Sequence, residues 1–232
     1  MSAEIARPGF FRTAWLVTRK DLTVELRSRE IVYTTLFFAV SCVLVFAFGF
    51  VKDGRPVDDV SAAILWIAIA FSGTLALGRT FERERASETL QALMLAPADR
   101  PAIYAGKLLG IVLLLGAVEL VVVPLVALLF QAPYLARPLP LVALLVTGTL
   151  GFAAVGTLFA AMLVRARSRD VLLPVLLYPI TIPVIIAGVR GTAALAEPDG
   201  AAIVRAWISM LVFFDVVFVT LALWTFEAVM TE

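Results

Sequence analysis

Residues 108–130 read LLGIVLLLGAVELVVVPLVALLF, with Glu119 as the single charged residue among them. As an α-helix this stretch rises about 34 Å, which exceeds the hydrocarbon core of a bilayer, about 30 Å thick. It lacks the alternation of apolar and polar residues that is typical of barrel strands in membranes. The stretch therefore predicts a transmembrane helix.

Five more stretches are long and apolar enough to cross a bilayer. They are residues 31–51, 60–78, 139–164, 171–189 and about 202–226. The chain of 232 residues is 62% hydrophobic and 16% charged, whereas soluble domains are about 45–50% apolar and about 25% charged. We predict an all-α integral membrane protein: a six-helix transmembrane domain over residues 31–232 follows residues 1–30, which lack the apolar core of a cleavable signal sequence.

Several absences exclude classes of function. The sequence has no histidine, a single cysteine (Cys42) and no phosphate-binding loop of the G-x-x-x-x-G-K-S/T type. It therefore lacks the residue that most often binds metals or acts in acid–base catalysis. A net charge of +1 gives no global field that favours nucleic acid. We expect a non-catalytic protein without a tightly bound cofactor or metal, which depends on another subunit for energy.

Positive charges predict the orientation of the spans. If the N-terminus is cytoplasmic, the cytoplasmic parts are residues 1–30, 79–107, 165–170 and the C-terminal tail, and they hold 14 of the 19 Lys and Arg residues. Cytoplasmic loops of membrane proteins carry such an excess. Both termini are therefore predicted to lie in the cytoplasm.

Residues 10–28 place Phe11, Trp15, Leu22 and Leu26 on one helical stripe, with most of the charged side chains off it. The pattern predicts an amphipathic helix in the headgroup layer of the membrane lipid. The alternative is a solvated helix that packs on another subunit.

The longest polar stretch between spans is residues 79–107, RTFERERASETLQALMLAPADRPAIYAGK. A block of mixed charge is followed by Leu90, Leu93 and Met94 at helical spacing, and Pro97 ends that helix. Pro101 suits the first turn of the next helix. We predict a short cytoplasmic helix whose apolar face docks on a partner, and the alternative is a solvated loop whose charges only fix the topology.

Two acidic residues, Glu119 and Asp215, lie near the centres of the third and sixth spans. An ionised carboxylate there costs at least about 2.5–3.5 kcal/mol. They belong either to a translocation path or to hydrogen bonds between helices. The second hypothesis is favoured, because no Lys or Arg lies at a matching depth in the membrane.

The fourth and fifth spans have unusual compositions. The fourth contains Gly148, Gly151 and Gly156, and such small residues predict close packing at the centre of the bundle. The fifth contains three prolines: Pro174, Pro179 and Pro183. Because each proline removes a backbone donor, we predict a kinked or broken span, with a re-entrant hairpin as the alternative.

Three stretches resemble one family of membrane proteins. They are residues 65–97, which begin with Leu–Trp and end in LQALMLAP, residues 106–128, which end in PLVAL, and residues 172–188, LLPVLLYPITIPVIIAG. With the six spans and the N-terminal helix, they resemble the permease subunit of a type-2 ABC exporter, and more closely the cytochrome c maturation permease, haem exporter protein B (CcmB). The resemblance covers nearly the whole chain, and the proline-rich fifth span is its most specific part.

The resemblance implies a location and partners. Two copies of the chain would pair with two ABC ATPase subunits, which bind the ATP, in the bacterial inner membrane. A haem-handling membrane protein and a small single-span subunit would join them, with haem as a transient cargo. The coupling helix seated on the ATPase would use nine residues: Phe81, Glu82, Arg83, Glu84, Glu88, Thr89, Leu90, Leu93 and Met94.

Four of these residues match the family's acidic coupling pattern: Phe81, Glu84, Thr89 and Leu90. Glu88 and Gln91 depart from it, because they stand where a glycine and a glutamate are often found. These departures put individual contacts in doubt and leave the role of the segment unchanged.

The resemblance leaves open how the energy of ATP would be used. ATP hydrolysis would either move haem through the permease or release a haem-loaded chaperone while nothing crosses this subunit. The chain offers no obvious axial ligand for haem iron, since it lacks histidine and its one cysteine and five methionines are scattered. A type-2 permease for another cargo, such as a lipid, drug or polysaccharide, and a non-transporting membrane scaffold are the remaining alternatives.

Overall fold

The computed structural model describes residues 9–52, 55–56, 60–80, 100–164 and 166–231. Long α-helices make up most of these residues. They are α1 Phe10–Ser28, α2 Glu30–Gly49, α3 Ser61–Thr80, α4 Arg100–Leu129, α5 Pro138–Met162, α6 Arg169–Ala193 and α7 Ala201–Thr231. The connections contain the 3₁₀-helices Pro133–Ala136 and Ala194–Ala196 and a short antiparallel pair, β1 (Val51–Lys52) and β2 (Arg55–Pro56).

Helices α2 to α7 are each long and apolar enough to cross a membrane, which confirms the six predicted spans. The largest difference in position concerns the third span, because α4 begins at Arg100, eight residues before its predicted start. The hydropathy pattern did not include these two turns in the predicted span, because they contain Arg100 and Lys107. Pro101 lies in the first turn of α4, as predicted.

Helix α6 corrects the expectation for the fifth span. It is continuous from Arg169 to Ala193, and its three prolines lie inside it. A broken span and a re-entrant hairpin are therefore both wrong, while a bend at the prolines stays a prediction. Pro179 is exposed, and Pro174 and Pro183 are half-buried, so none of the three lies in the buried core. Other α6 residues make the core contacts: Leu173, Leu177, Val184 and Ala187.

Helix α5 lies at the centre of the bundle, where it packs against α3, α4, α6 and α7. Its glycines permit a very close approach of neighbouring side chains. A Cβ atom at Gly148 would lie 2.2 Å from the Trp66 ring, and one at Gly156 would lie 2.2 Å from the side chain of Leu77. The small residues of the fourth span therefore have the packing role that the sequence predicts.

Helix α1 confirms the predicted N-terminal helix and packs along α4. The predicted stripe points away from the bundle, since Phe11, Trp15 and Leu26 are 86%, 59% and 73% exposed. Leu22, on the same stripe, is half-buried. Exposed aromatic side chains beside a transmembrane bundle suit the headgroup layer, and that location of α1 stays a prediction.

The junction between α1 and α2 is a tight turn at one residue. Arg29 adopts the left-handed conformation, with φ 54°, and its N–H donates to the Glu25 carbonyl oxygen over 2.6 Å. The Glu25 carboxylate turns toward the beginning of α2, where its Oε1 accepts a hydrogen bond of 2.8 Å from the Val32 N–H. A carboxylate at a helix N-terminus satisfies a free donor and complements the helix dipole. This contact fixes α1 relative to the first span.

Candidate functional site

The nine predicted coupling residues, from Phe81 to Met94, lie outside the described residues. The structure instead shows the two helices that flank them. Helix α3 ends at Thr80 and helix α4 begins at Arg100, at the same end of the bundle as α1. We call this end, with α1, the beginning of α2 and α4 and the last turn of α3, the α1 end.

The last turn of α3 is held by two arginine contacts. Arg169, at the start of α6, donates from Nη2 to the Gly78 carbonyl oxygen over 2.8 Å, and its side chain is largely buried. A cation at this position satisfies a terminal carbonyl and complements the negative end of the helix dipole. Arg79 Nη1 lies 3.1 Å from Glu30 Oε1 at the start of α2. The end of α3 is thereby tied to both α6 and α2.

The first turns of α4 lie directly against α1. A Cβ atom at Gly106 would lie 2.6 Å from the Ala14 carbonyl oxygen, so the glycine allows the two backbones to meet. The Thr18 hydroxyl donates to the Gly106 carbonyl oxygen over 2.9 Å. Side chains larger than hydrogen at Gly106 would separate the two helices.

A buried ion pair reinforces the contact between α1 and α4. Lys107 is only 1% exposed, and its Nζ lies 2.9 Å from Asp21 Oδ2. Lys20 Nζ lies 3.2 Å from the other carboxylate oxygen of Asp21. A charge that is removed from water requires such a partner, because the desolvation of an isolated ion costs several kcal/mol. Lys107 therefore stabilises the packing of α4 against α1.

Glu119, on α4, is buried and accepts a hydrogen bond from the Thr149 hydroxyl on α5. The pair joins two neighbouring spans near the middle of α5. This contact is the interhelical hydrogen bond that the favoured hypothesis predicts for Glu119. A part for Glu119 in transport stays a prediction.

Asp215, on α7, is 6% exposed and faces Gly151 of α5. Its Oδ1 is buried and has no hydrogen-bond partner in the part of the chain that the structure describes. The interhelical hydrogen bond expected for Asp215 is therefore not formed at this atom. Gly151 leaves room for the carboxylate, because a Cβ atom there would lie 2.6 Å from Oδ1.

The structure keeps the two intramembrane acids apart. Thr149 and Gly151, which they contact, are two positions apart on α5, and side chains at that spacing point about 200° away from each other. Their heights along the helix differ by only about 3 Å. Glu119 and Asp215 therefore lie at a similar depth on opposite sides of the central helix.

Sequence reasoning missed the contacts of Trp66 at the centre of the bundle. Its ring lies between Gly148 of α5 and Gly188 of α6, and its Nε1–H donates to the Thr192 hydroxyl over 3.0 Å. A tryptophan in the interior of an apolar span signals a buried N–H that needs an acceptor. The sequence could therefore have predicted an acceptor for Trp66, although not its identity.

These observations define a polytopic α-helical membrane protein with polar contacts between its spans. Within the described ranges, no group of three or more His, Cys, Asp or Glu residues is placed to hold a metal ion. The family model described as CcmB protein matches residues 12–231. The chain belongs to the CcmB protein family.

Several proteins named heme exporter protein B are similar to this chain. The one from Paracoccus denitrificans (strain Pd 1222) is 33% identical over 177 residues, which are 75% of this chain and 80% of the relative. The relative from Haemophilus influenzae is 26% identical over 186 residues, 79% of this chain and 84% of its own. The relative from Rhodobacter capsulatus is 29% identical over 181 residues, 76% of this chain and 83% of its own.

Proposed function

We propose that this chain is the membrane permease subunit of an ABC transporter complex for haem export and c-type cytochrome maturation. The family match over residues 12–231 carries the proposal, because it includes α1 and all six spans. The name of the relatives, heme exporter protein B, suggests haem as the cargo. The complex would lie in the bacterial inner membrane with both termini of this chain in the cytoplasm.

A separate ATPase subunit would hydrolyse the ATP, since the sequence has no phosphate-binding loop. Residues 79–107 would form the coupling segment on which that ATPase is seated. The contacts at both flanks support this assignment: Arg169 holds the end of α3, and Asp21 holds the beginning of α4 through Lys107. A displacement of the segment would therefore move both helices together with the elements tied to them.

Helix α4 would carry such a displacement toward the centre of the membrane. It is continuous from Arg100 to Leu129, and Glu119 links it to α5 through Thr149. Helices transmit motion over such distances as rigid elements, because their backbone groups are satisfied internally. The Tyr104 hydroxyl near the start of α4 donates to the Ala154 carbonyl oxygen of α5 over 2.9 Å. The hydrogen bond between Glu119 and Thr149 is a second polar contact, further along α4, through which α4 can act on the central helix.

A second copy of the chain would complete the permease. On α6, Pro179 and Pro183 supply no N–H to the carbonyl oxygens of Val175 and Pro179. Both Val175 and Pro179 are exposed in the single chain. Backbone carbonyls facing hydrocarbon without donors are costly, so a neighbouring subunit on this face of α6 would stabilise it. The haem-handling protein and the single-span subunit are further proposed partners.

The energy of ATP can be used in two ways, and the packing of a single chain supports keeping both. Trp66 fills the space between Gly148 and Gly188, so the centre of the described bundle is occupied by side chains. The chain also has no histidine to ligate haem iron. Release of a haem-loaded chaperone is therefore a second candidate beside the movement of haem itself.

Reconstitution separates these candidates. The permease would be purified with its ATPase and membrane partners and placed in liposomes with haem inside or outside. ATP-dependent appearance of haem on the opposite side supports movement, whereas release of the loaded chaperone without such movement supports the second candidate. A complex that binds no ATPase and no haem-handling partner on co-purification would contradict the proposed function.

The coupling segment is tested by the double variant Leu90→Asp and Leu93→Asp. We expect it to insert normally but to lose ATPase recruitment and cytochrome c yield, because charges on the apolar face prevent docking. Leu135→Asp is the control, since Leu135 is exposed on the 3₁₀-helix Pro133–Ala136 between α4 and α5. Normal recruitment by the double variant would contradict the assignment, as would extracellular labelling of a cysteine placed at residue 84.

A further inference from the structure

A cavity of about 860 Å³ lies at the α1 end, between α1, α2, α4 and the last turn of α3. Most of its wall is apolar and includes Ile31, Ile111 and Leu114. Its size falls within the range of sites that bind small molecules. None of the functions proposed above uses this cavity.

Charge is unevenly distributed along the cavity. Six Asp, Glu, Lys or Arg residues line it: Lys20, Asp21, Glu25, Arg29, Arg79 and Lys107. Four of the six are cationic, and Glu30, outside the cavity wall, forms an ion pair with Arg79. The lining keeps an excess of positive charge even when this pair is counted. The six lining residues belong to α1, to the turn that follows it, to the last turn of α3 or to the first turns of α4.

The remainder of the cavity is apolar and follows α4 into the bundle. The residues of α4 in its wall run from Lys107 to Ala117. Ten residues of helix rise about 15 Å, which is half of a hydrocarbon core of about 30 Å. The cavity thus has a cationic end and an apolar length that spans a single leaflet.

We propose that this cavity binds one anionic phospholipid of the leaflet in which α1 lies. The phosphate would lie beside Lys20, Arg29 and Arg79, and one acyl chain would extend along α4 past Ile111 and Leu114. Basic side chains near a membrane surface favour anionic lipids. The apolar wall of the cavity shields the acyl chain of the lipid from water. The proposal requires neither haem nor an ATPase, so it can fail while the proposed function stands.

The dimensions favour a lipid over a free anion. A soluble phosphate would occupy only the cationic end and would leave the apolar part, from Gly110 to Ala117, without a ligand. A phospholipid would fill the cationic end with its phosphate and the apolar part with an acyl chain. The bilayer already holds its lipids in that orientation. The bound lipid would hold α1 on the bundle, because it would contact α1, α2 and α4 together.

Native mass spectrometry tests the proposal. The full chain would be reconstituted in nanodiscs of phosphatidylglycerol and phosphatidylethanolamine, transferred to mild detergent, and analysed for retained lipid. We expect one phosphatidylglycerol per chain, retained in excess over its share of the nanodisc lipid, and not displaced by inorganic phosphate.

Two glycines of α4 provide a matched pair of variants. Gly110 lines the cavity, and a Cβ atom there would meet only Asp21, at 3.9 Å. A leucine at Gly110 therefore fits and fills part of the cavity, so Gly110→Leu should lose the retained lipid. Gly116 is outside the cavity wall, and a Cβ atom there would meet nothing within 4 Å. Gly116→Leu should retain the lipid as the wild type does.

The contribution of the basic side chains to lipid binding is tested separately from that of the cavity volume. Lys20→Gln should lower the preference for phosphatidylglycerol about fivefold, the effect of one basic residue near an anionic headgroup. Arg12→Gln, at an exposed position of α1 outside the cavity wall, is the control and should change nothing. Three results would overturn the proposal: a wild-type chain without preferential lipid, retention by Gly110→Leu equal to the wild type, or displacement of the ligand by inorganic phosphate.

Discussion

The centre of the bundle and its α1 end are built by different means. At the centre, α5 meets its neighbours through glycines that admit Trp66, Leu77 and Phe214 to within contact of its backbone. At the α1 end, Gly106 brings α4 comparably close to α1, but the other helices are connected by ion pairs such as Arg79–Glu30 around a cavity of about 860 Å³.

These two kinds of packing indicate which region can move. A core in which a single methyl group would overlap a neighbour has essentially one packing arrangement, so it fixes the relative positions of the spans. Ion pairs and a cavity tolerate small displacements at much lower cost. The α1 end, next to residues 81–99, is therefore the more deformable region. An ATPase docked there would act on the part of the structure that changes shape most easily.

The strongest test of this comparison is Gly148→Ala. The new Cβ atom would lie 2.2 Å from the Trp66 ring, which Gly188 confines from the other side. We expect a loss of stability of about 3 kcal/mol, the upper end of the usual cost of overpacking. Thermal unfolding of the purified protein in detergent measures it.

Gly116→Ala is the control for this variant, because it makes the same chemical change on a neighbouring span. A Cβ atom at Gly116 meets nothing within 4 Å. Replacing glycine by alanine inside a helix then stabilises it by up to about 1 kcal/mol. Equal stability of the two variants would show that the centre is not tightly packed, and the contrast with the α1 end would disappear.

The next test removes the buried ion pair at the α1 end. In Asp21→Asn the Lys107 ammonium, 1% exposed, keeps its position but loses the carboxylate at 2.9 Å. We expect a destabilisation of about 1.5–3 kcal/mol, the contribution of a hydrogen bond to a charged group, measured by thermal unfolding. Lys20→Gln, which removes the exposed partner of the same carboxylate, should cost at most about 1 kcal/mol. If the two variants were equally stable, Lys107 would not depend on Asp21.

The comparison also shows what the sequence could and could not predict. The six spans follow from length and hydropathy, because lipid demands long apolar helices whatever their arrangement. The central place of α5 follows from its small residues. Pro101 predicted the start of the helix, but the continuity of α4 from there into the third span could not be predicted, since Lys107 reads as a polar boundary until its partner Asp21 is known.

The contacts of the polar residues needed the structure for a similar reason. Glu119 can be expected to find a hydrogen-bond partner, but which partner depends on how α4 and α5 are rotated against each other. The same holds for Trp66, whose acceptor Thr192 lies 126 positions along the chain. The continuity of α6 through its three prolines also needed the structure, because neighbouring helices, and not the local sequence, determine whether a helix with freed carbonyl groups stays continuous.

A smaller effect is expected for Thr149→Val, which removes the hydroxyl that donates to Glu119. Hydrogen bonds between transmembrane helices contribute about 0.6 kcal/mol on average and about 1.7 kcal/mol at most. Thr147→Val is the control, because within the described residues Thr147 Oγ1 bonds to carbonyl oxygens of its own helix, at Ala143 and Leu144. A double-mutant cycle with Glu119→Gln measures the coupling, and a coupling energy of zero would contradict the pair seen in the structure.

The smallest effect on stability is expected for Asp215→Asn. Asp215 Oδ1 is buried and has no hydrogen-bond partner within the described ranges, so removing the charge takes away no contact at that atom. Stability should be unchanged or slightly higher, because a carboxylate at this depth costs free energy that an amide does not. An intramembrane residue that costs free energy and makes no stabilising contact is by default a candidate for function. We therefore expect cells with the Asp215→Asn variant to produce fewer mature c-type cytochromes, although the variant is present at normal abundance. Cytochrome yield equal to that of the wild type would remove Asp215 from any translocation path.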